Sequence, residues 1–126
     1  MFVSYAEDPQ EIEIAGTASE FVELSAKLLE NGAVYPCQES GMEVAPYSRF
    51  LRCIAVKIAP GERAKLAISD DDCLLISGDA RSLEPVSETM VNFAKGWAVG
   101  QHIHIEYYEG HPTLAPGSIP AVLAHL

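Results

Sequence analysis

The sequence predicts a single α+β domain with a mostly antiparallel sheet and two helices packed on one face of it. Its 126 residues are the size of one ordinary domain. Hydrophobic residues make up 48% of the chain, which is enough for a core. Strand and helix patterns come in blocks rather than in strict alternation, as in α+β folds. The predicted order is β-α-β-β-β-α-β-β, in one domain over residues 1–126.

The first block is a strand followed by a helix. Residues 11–15 alternate polar and apolar side chains, which predicts a half-buried strand. Thr17 and Glu20 have the spacing of a capping box, in which each side chain satisfies a backbone N–H group. Apolar residues then recur at helical spacing, and Asn31-Gly32 ends the pattern. We therefore predict a helix over residues 18–30.

The middle of the chain is predicted to contain a long loop and then three strands. Residues 31–49 are punctuated by proline and glycine and form the loop, with a short strand near 34–37. Residues 50–58 predict a strand that Pro60-Gly61 ends. The two later strands are expected to pair as a hairpin across a short acidic linker. These two strands are residues 64–69 and 73–77.

The last block is a helix and two strands. Pro85 is tolerated in the first turn of a helix, so we expect the second helix to begin near residues 82–85. Residues 101–107 alternate strictly and predict a strand, and 121–125 predict the last one. The expected core contacts between helices and sheet involve Leu24, Leu28, Val86, Phe93, Ile103 and Ile105.

The charge balance restricts the kinds of partner. The chain has 18 acidic and 8 basic residues, a net charge of −10 that is spread over both halves. Affinity for nucleic acid and for anionic membranes comes largely from lysine and arginine, so we expect neither as a partner. A negative surface attracts a basic protein partner.

The cysteines and the N-terminus predict a cytoplasmic protein. Cys37, Cys53 and Cys73 are widely spaced, and the first residues lack the basic and apolar regions of a signal peptide. These features predict free thiols in a reducing compartment. Cys53 lies in an apolar run and is expected in the core, whereas Cys37 is expected to be a structural thiol in a loop.

A cluster of histidines and carboxylates is the strongest chemical signal. His102, His104 and Glu106 alternate along a predicted strand, so their side chains share one face. Such a face either contacts a protein or holds a metal ion. The metal alternative uses His102, His104 and Glu109, whose spacing after Gly96 fits the first cupin motif. The second metal-binding motif of a cupin is missing, so we favour a polar surface without a cofactor.

Two segments carry a resemblance to a known family. They are residues 12–17, Ile-Glu-Ile-Ala-Gly-Thr, and residues 102–120, which begin His-Ile-His-Ile-Glu-Tyr-Tyr-Glu-Gly-His-Pro. Together they resemble bacterial immunity proteins of polymorphic toxin systems, in particular immunity protein family thirty-two. The resemblance implies a small cytoplasmic α+β protein that binds a cognate toxin, which is often basic, and blocks it without catalysis.

We therefore expect a non-enzymatic toxin inhibitor, with a small metal-binding domain or metalloenzyme as the alternative. No catalytic residue is predicted. The expected partner-binding surface combines the polar strand face, the loop that follows it and two tyrosines near the long loop. These residues are His102, His104, Glu106, Tyr108, Glu109, His111, Tyr35 and Tyr47.

Overall fold

A computed structural model describes residues 1–39, 49–96 and 98–126 and confirms the α+β fold. The helices are α1 (Ala18–Lys27) and α2 (Ala80–Gly96). The strands are β1 (Phe2–Glu7), β2 (Gln10–Gly16), β3 (Val34–Pro36), β4 (Arg49–Leu51), β5 (Cys53–Ile58), β6 (Lys65–Ile68), β7 (Cys73–Gly78), β8 (His102–Ile105) and β9 (Ala121–His125). Tyr47 and the rest of 40–48 lie outside the described residues.

The strands form two sheets. Sheet A has the order β4-β1-β2-β9-β8, and sheet B has the order β3-β5-β7-β6. Each sheet contains one parallel pair, β2 with β9 and β5 with β7, and its other pairs are antiparallel. The predicted hairpin of β6 and β7 is confirmed.

The structure adds a strand, β1, and divides the predicted strand 50–58 between the two sheets. The break falls at Arg52, whose backbone N–H donates to the carbonyl oxygen of Asp72 at 3.0 Å. Its Nε donates to the carbonyl oxygen of Asp71 at 2.7 Å. The apolar pattern is the same before and after this residue, so the sequence alone does not show the change of sheet.

Local sequence signals set the start of each helix. The capping box of α1 is confirmed: Glu20 N–H donates to Thr17 Oγ1 at 3.3 Å, and Thr17 N–H donates to Glu20 Oε1 at 3.0 Å. Helix α2 begins at Ala80, so the predicted start near 82–85 is wrong. The Asp79 carboxylate accepts from Ser82 N–H at 2.8 Å and caps the helix earlier, which leaves Pro85 inside it.

One hydrophobic core joins both helices to both sheets. Phe21 of α1 and Phe93 of α2 meet edge to face, with ring centroids 5.3 Å apart. The helix residues predicted to face the sheet are buried, and Ile103 and Ile105 are partly buried and pack against the core. The helical core residues are Phe21, Leu24, Leu28, Leu83, Val86, Met90 and Phe93.

The prediction of free thiols is wrong for two of the three cysteines. Cys53 and Cys73 are opposite each other on the parallel strands β5 and β7 and form a disulfide, with Cα atoms 4.8 Å apart. Cys53 is half-buried rather than in the core. The residues are 20 positions apart, and only the pairing of β5 with β7 brings them together. Cys37 is a thiol whose pKa burial raises to about 11, so it is protonated at neutral pH.

The loop between β8 and β9 covers the β6 edge of sheet B. Ala64 N–H, just before β6, donates to the carbonyl oxygen of Thr113 at 2.8 Å. Within β6, Leu66 N–H donates to Ser118 Oγ at 3.0 Å, and the Leu66 carbonyl oxygen accepts from Ile119 N–H at 2.9 Å. The outward backbone groups of Ala64 and Leu66 are therefore paired within the chain.

Candidate functional site: an open sheet edge beside a pocket

Strand β8 is the last strand of sheet A, and its register shows which backbone groups face outward. His125 N–H donates to the carbonyl oxygen of Gln101 at 3.0 Å, so Gln101 faces β9. Hydrogen-bonded positions alternate along an antiparallel pair. Ile103 and Ile105 therefore also bond to β9.

The intervening residues, His102 and His104, turn their backbone N–H and carbonyl groups toward the open edge. Within the described ranges, neither residue has a backbone partner on that side. Their side chains are exposed on the outer face of sheet A, with ring centroids 5.7 Å apart. The structure thus places the two histidines on one face, as the alternation predicts.

A pocket of about 580 Å³ lies where the end of β8, helix α2 and the β8–β9 loop meet. Its apolar wall includes Val86 and Leu114, which are 4% and 2% exposed. The lining residues are Pro85, Val86, Thr89, His104, Ile105, Glu106, Tyr108, His111, Pro112, Thr113 and Leu114. Apolar walls with a few polar groups are typical of binding pockets.

His111 is fixed in the loop by its own neighbours. Its Nδ1 accepts hydrogen bonds from the backbone N–H groups of Thr113 at 3.1 Å and Leu114 at 2.9 Å. Since an accepting Nδ1 carries no proton, the neutral ring has its proton on Nε2. The ring lies 4.5 Å from the Tyr108 ring and 6.5 Å from the Tyr107 ring, centroid to centroid. The loop therefore presents a preformed aromatic cluster.

The electrostatic character of the site is acidic. Glu106 lines the pocket, and its lining includes neither lysine nor arginine. Residues 98–126 contain Glu106 and Glu109 and no lysine or arginine. Arg63 contacts the loop through Nη1, which donates to the carbonyl oxygen of His111 at 3.3 Å.

The outer face of sheet A beside β8 also carries acidic groups. Burial raises the pKa of Glu13 on β2, and neighbouring Glu11 raises it further, whereas His102 acts in the opposite direction. Val122 of strand β9 pairs with Glu13 of β2 on one side and with His104 of β8 on the other. The polar strand face is therefore continuous with an acidic row on the sheet.

The structure brings most of the predicted surface residues together. His104, Glu106, Tyr108 and His111 line the pocket. His102 lies two residues before His104 on β8. Glu109 is exposed in the adjoining loop but does not line the pocket.

Tyr35 lies elsewhere, on β3 of sheet B. Its hydroxyl donates to the Glu23 carboxylate of α1 at 3.2 Å. Burial, followed by the charge of Glu23, raises the pKa of Tyr35 to about 12. This tyrosine therefore joins β3 to α1 and does not line the pocket.

Sequence reasoning missed the helical wall of the pocket. Pro85, Val86 and Thr89 belong to the α2 pattern that predicts core packing, and Val86 does belong to the core. A residue at the edge of a core can also line a cavity. Whether it does so depends on where the neighbouring sheet ends. No local pattern marks this difference.

The alternative metal site is not assembled in the described part of the chain. No three histidine, cysteine, aspartate or glutamate side chains lie there in a group that could hold a metal ion. His102, His104 and Glu109 therefore do not form the set that the cupin-like spacing suggests.

Among the described residues, no helix has the length and apolar character needed to span a membrane. No protein-family model, curated protein or solved structure matches the chain. The protein is thus an α+β domain in which an open sheet edge lies beside an acidic, aromatic pocket.

Proposed function

We propose that this protein is a non-enzymatic, immunity-type inhibitor that binds a cognate bacterial toxin directly. The observation that carries the proposal is the open edge of β8 next to a preformed pocket, in a chain of net charge −10. Open edges and apolar pockets with polar rims are both used in protein recognition.

The hydrogen bonds of the pocket favour binding over catalysis. Nδ1 of His111 is occupied by two backbone N–H groups, so that nitrogen does not accept a proton from a substrate. The Thr89 hydroxyl donates to the carbonyl oxygen of Pro85 at 2.8 Å. These bonds fix the positions of the Thr89 hydroxyl and of His111 Nδ1 in the pocket.

The charge of the site favours a basic toxin domain. Glu106 and Glu109 are exposed, residues 98–126 contain no lysine or arginine, and Arg63 from outside this segment contacts the loop at the His111 carbonyl oxygen. Complementary charge raises the association rate and gives it a strong salt dependence. A basic surface on the toxin would be steered toward this end of sheet A.

The proposal places the protein in the cytoplasm, in the same compartment as a toxin that acts inside the cell. The Cys53–Cys73 disulfide is more typical of an oxidising compartment. Alkylation of thiols in intact cells, followed by mass spectrometry of fractionated protein, tests the location. Reduced Cys53 and Cys73 in the cytoplasmic fraction support it, and an oxidised pair in a secreted or periplasmic fraction contradicts it.

Co-expression with each protein encoded by the genes adjacent to this one, as candidate toxins, tests the function. We expect the chain to restore growth of cells that make the toxin and to bind the purified domain. Replacing Glu106→Lys together with Glu109→Lys should slow association and flatten its salt dependence. The matched control is Glu30→Lys with Asp70→Lys, which makes the same change of charge at exposed sites outside the pocket. Failure to bind the toxin or to restore growth contradicts the proposal.

A further inference from the structure

The edges of the two sheets differ in how their backbone groups are used. The β6 edge is paired with the β8–β9 loop. The β3 edge is three residues long and contains Pro36, which has no N–H group to donate. Strand β8 instead presents the outward N–H and carbonyl groups of His102 and His104. An exposed edge of this kind is a template for another strand.

We propose that an extended segment of the partner protein adds to β8 as a further, antiparallel strand and places an arginine or lysine side chain in the pocket. The inference deepens the proposed function, since it rests on the partner being a protein. Main-chain hydrogen bonds to His102 and His104 give the segment its alignment, and the pocket selects one side chain.

The geometry of strand addition places that side chain correctly. Side chains alternate between the faces of a sheet, and Ile105 points to the inner face beside α2. A residue of the added strand opposite Ile105 points to the same face, where Pro85 and Thr89 of α2 also line the pocket. Its neighbours in the added strand pair with the open backbone groups of β8.

The chemistry of the lining selects a cation with an apolar stem. Val86 and Leu114 offer a buried apolar wall for methylene groups. Glu106 supplies a carboxylate for the charged group. The Tyr108 ring, packed against His111 at 4.5 Å, offers an aromatic face for a cation–π contact. Arginine combines these three properties in one side chain.

A short peptide tests the edge and the pocket without the toxin. The probe is the blocked peptide acetyl-Thr-Val-Arg-Val-Thr-amide, followed by NMR of the full chain. We expect its addition to shift the amide signal of His104. Citrulline in place of arginine keeps the shape but removes the charge, and we expect it to bind at least about tenfold more weakly.

Backbone methylation separates strand addition from simple occupation of the pocket. In an antiparallel added strand, the N–H groups of the two valines face β8 when the arginine faces the pocket, because the groups alternate. Methylation of both valine nitrogens should therefore abolish binding, whereas methylation of the arginine nitrogen should leave it unchanged. Equal effects of the two methylations, or no shift at β8 with any peptide, would overturn the proposal.

Variants of the chain extend the test to the toxin complex. His104→Pro removes an outward N–H, whereas the matched His104→Ala keeps it and also lacks the imidazole. We expect proline to weaken toxin binding about 10- to 100-fold beyond alanine, since a buried carbonyl group of the partner loses its donor. Glu106→Gln should also weaken binding, and Glu30→Gln, at an exposed site outside the pocket, should not.

The two proposals fail in different ways. If the toxin is bound and neutralised but His104→Pro behaves as His104→Ala, strand addition is wrong and the inhibitor function stands. If the arginine peptide binds as expected but the toxin does not, the recognition mode stands and the inhibitor function is wrong.

Discussion

The two sheets meet the β8–β9 loop in opposite ways. In sheet B the loop covers the β6 edge with backbone and serine hydrogen bonds, and a disulfide joins the two central strands. In sheet A the same loop leaves from the end of β8 without covering its edge. One segment therefore closes one sheet and borders a pocket at the other. The loop thus pairs backbone groups at the β6 edge, whereas the outward backbone groups of His102 and His104 on β8 stay open in the described part of the chain.

The largest expected effect is the loss of stability when Gly78 is replaced by alanine, compared with the same replacement at Gly110. Gly78 ends β7 with φ +147°, and a Cβ there would lie 2.8 Å from Ala64 Cα, in the backbone that the loop covers. Gly78→Ala should cost about 4 kcal/mol of stability, from backbone strain and overpacking together. Gly110 in the loop has φ +84° but nothing within 4 Å of such a Cβ. Gly110→Ala should cost about 1 kcal/mol. Urea unfolding of both variants checks this, and equal costs would contradict it.

Removal of the disulfide should have the next largest effect on sheet B. Cys53→Ser with Cys73→Ser opens a covalent loop between residues 20 positions apart, and the loss of chain restraint in the unfolded state predicts a cost of about 3 kcal/mol. Calorimetry measures the cost, with Cys37→Ser as the control for loss of a thiol alone. Binding of the arginine peptide at β8 should be unchanged. A loss of peptide binding in the folded variant would show that the two regions are not independent.

A single serine should show how much the loop contributes at the β6 edge. Ser118 is 8% exposed, and Ser118→Ala leaves Leu66 N–H buried without its acceptor. We expect a loss of about 2 kcal/mol and faster hydrogen exchange along β6. Ser69 also accepts a backbone N–H, from Cys73, but it is only half-buried, so Ser69→Ala should cost less because water can replace it. A larger cost for Ser69→Ala would reverse this interpretation.

The smallest expected effect concerns the outer face of sheet A. Burial raises the pKa of Glu13, so its charged form costs stability above that pKa and the cost disappears as the pH falls through it. Glu13→Gln should therefore stabilise the fold at pH 7 by about 0.5 kcal/mol or less, and the gain should vanish below the ordinary glutamate pKa of 4.5. Urea unfolding at pH 7 and pH 4 measures both values. A gain at pH 4 as large as that at pH 7 would contradict the role of ionisation.

Sequence prediction succeeds here where the signal is local. The capping box of Thr17 and Glu20 and the alternation of His102 and His104 depend on neighbours within a few residues, so both appear in the structure as predicted. Prediction fails where the partner is distant. The disulfide of Cys53 depends on strand pairing, and the position of Tyr35 depends on which sheet contains β3.

The candidate site shows the same division. Its polar half could be predicted, because residues 102–111 are contiguous and the alternation of His102 and His104 along β8 fixes a common face. Its apolar half could not, because α2 reaches the pocket only after both helices pack into the core. An apolar helix stripe predicts burial but does not specify the cavity that it borders.

By itself the sequence determined the α+β class, the acidic surface and the polar strand of two histidines, since composition and side-chain period act over short distances. Only the tertiary structure decided that β8 is an open edge, that α2 completes a pocket beside it and that Cys53 meets Cys73. The physical reason is that strand order and helix docking follow from the burial of one shared core. That free energy depends on the whole chain rather than on any segment of it.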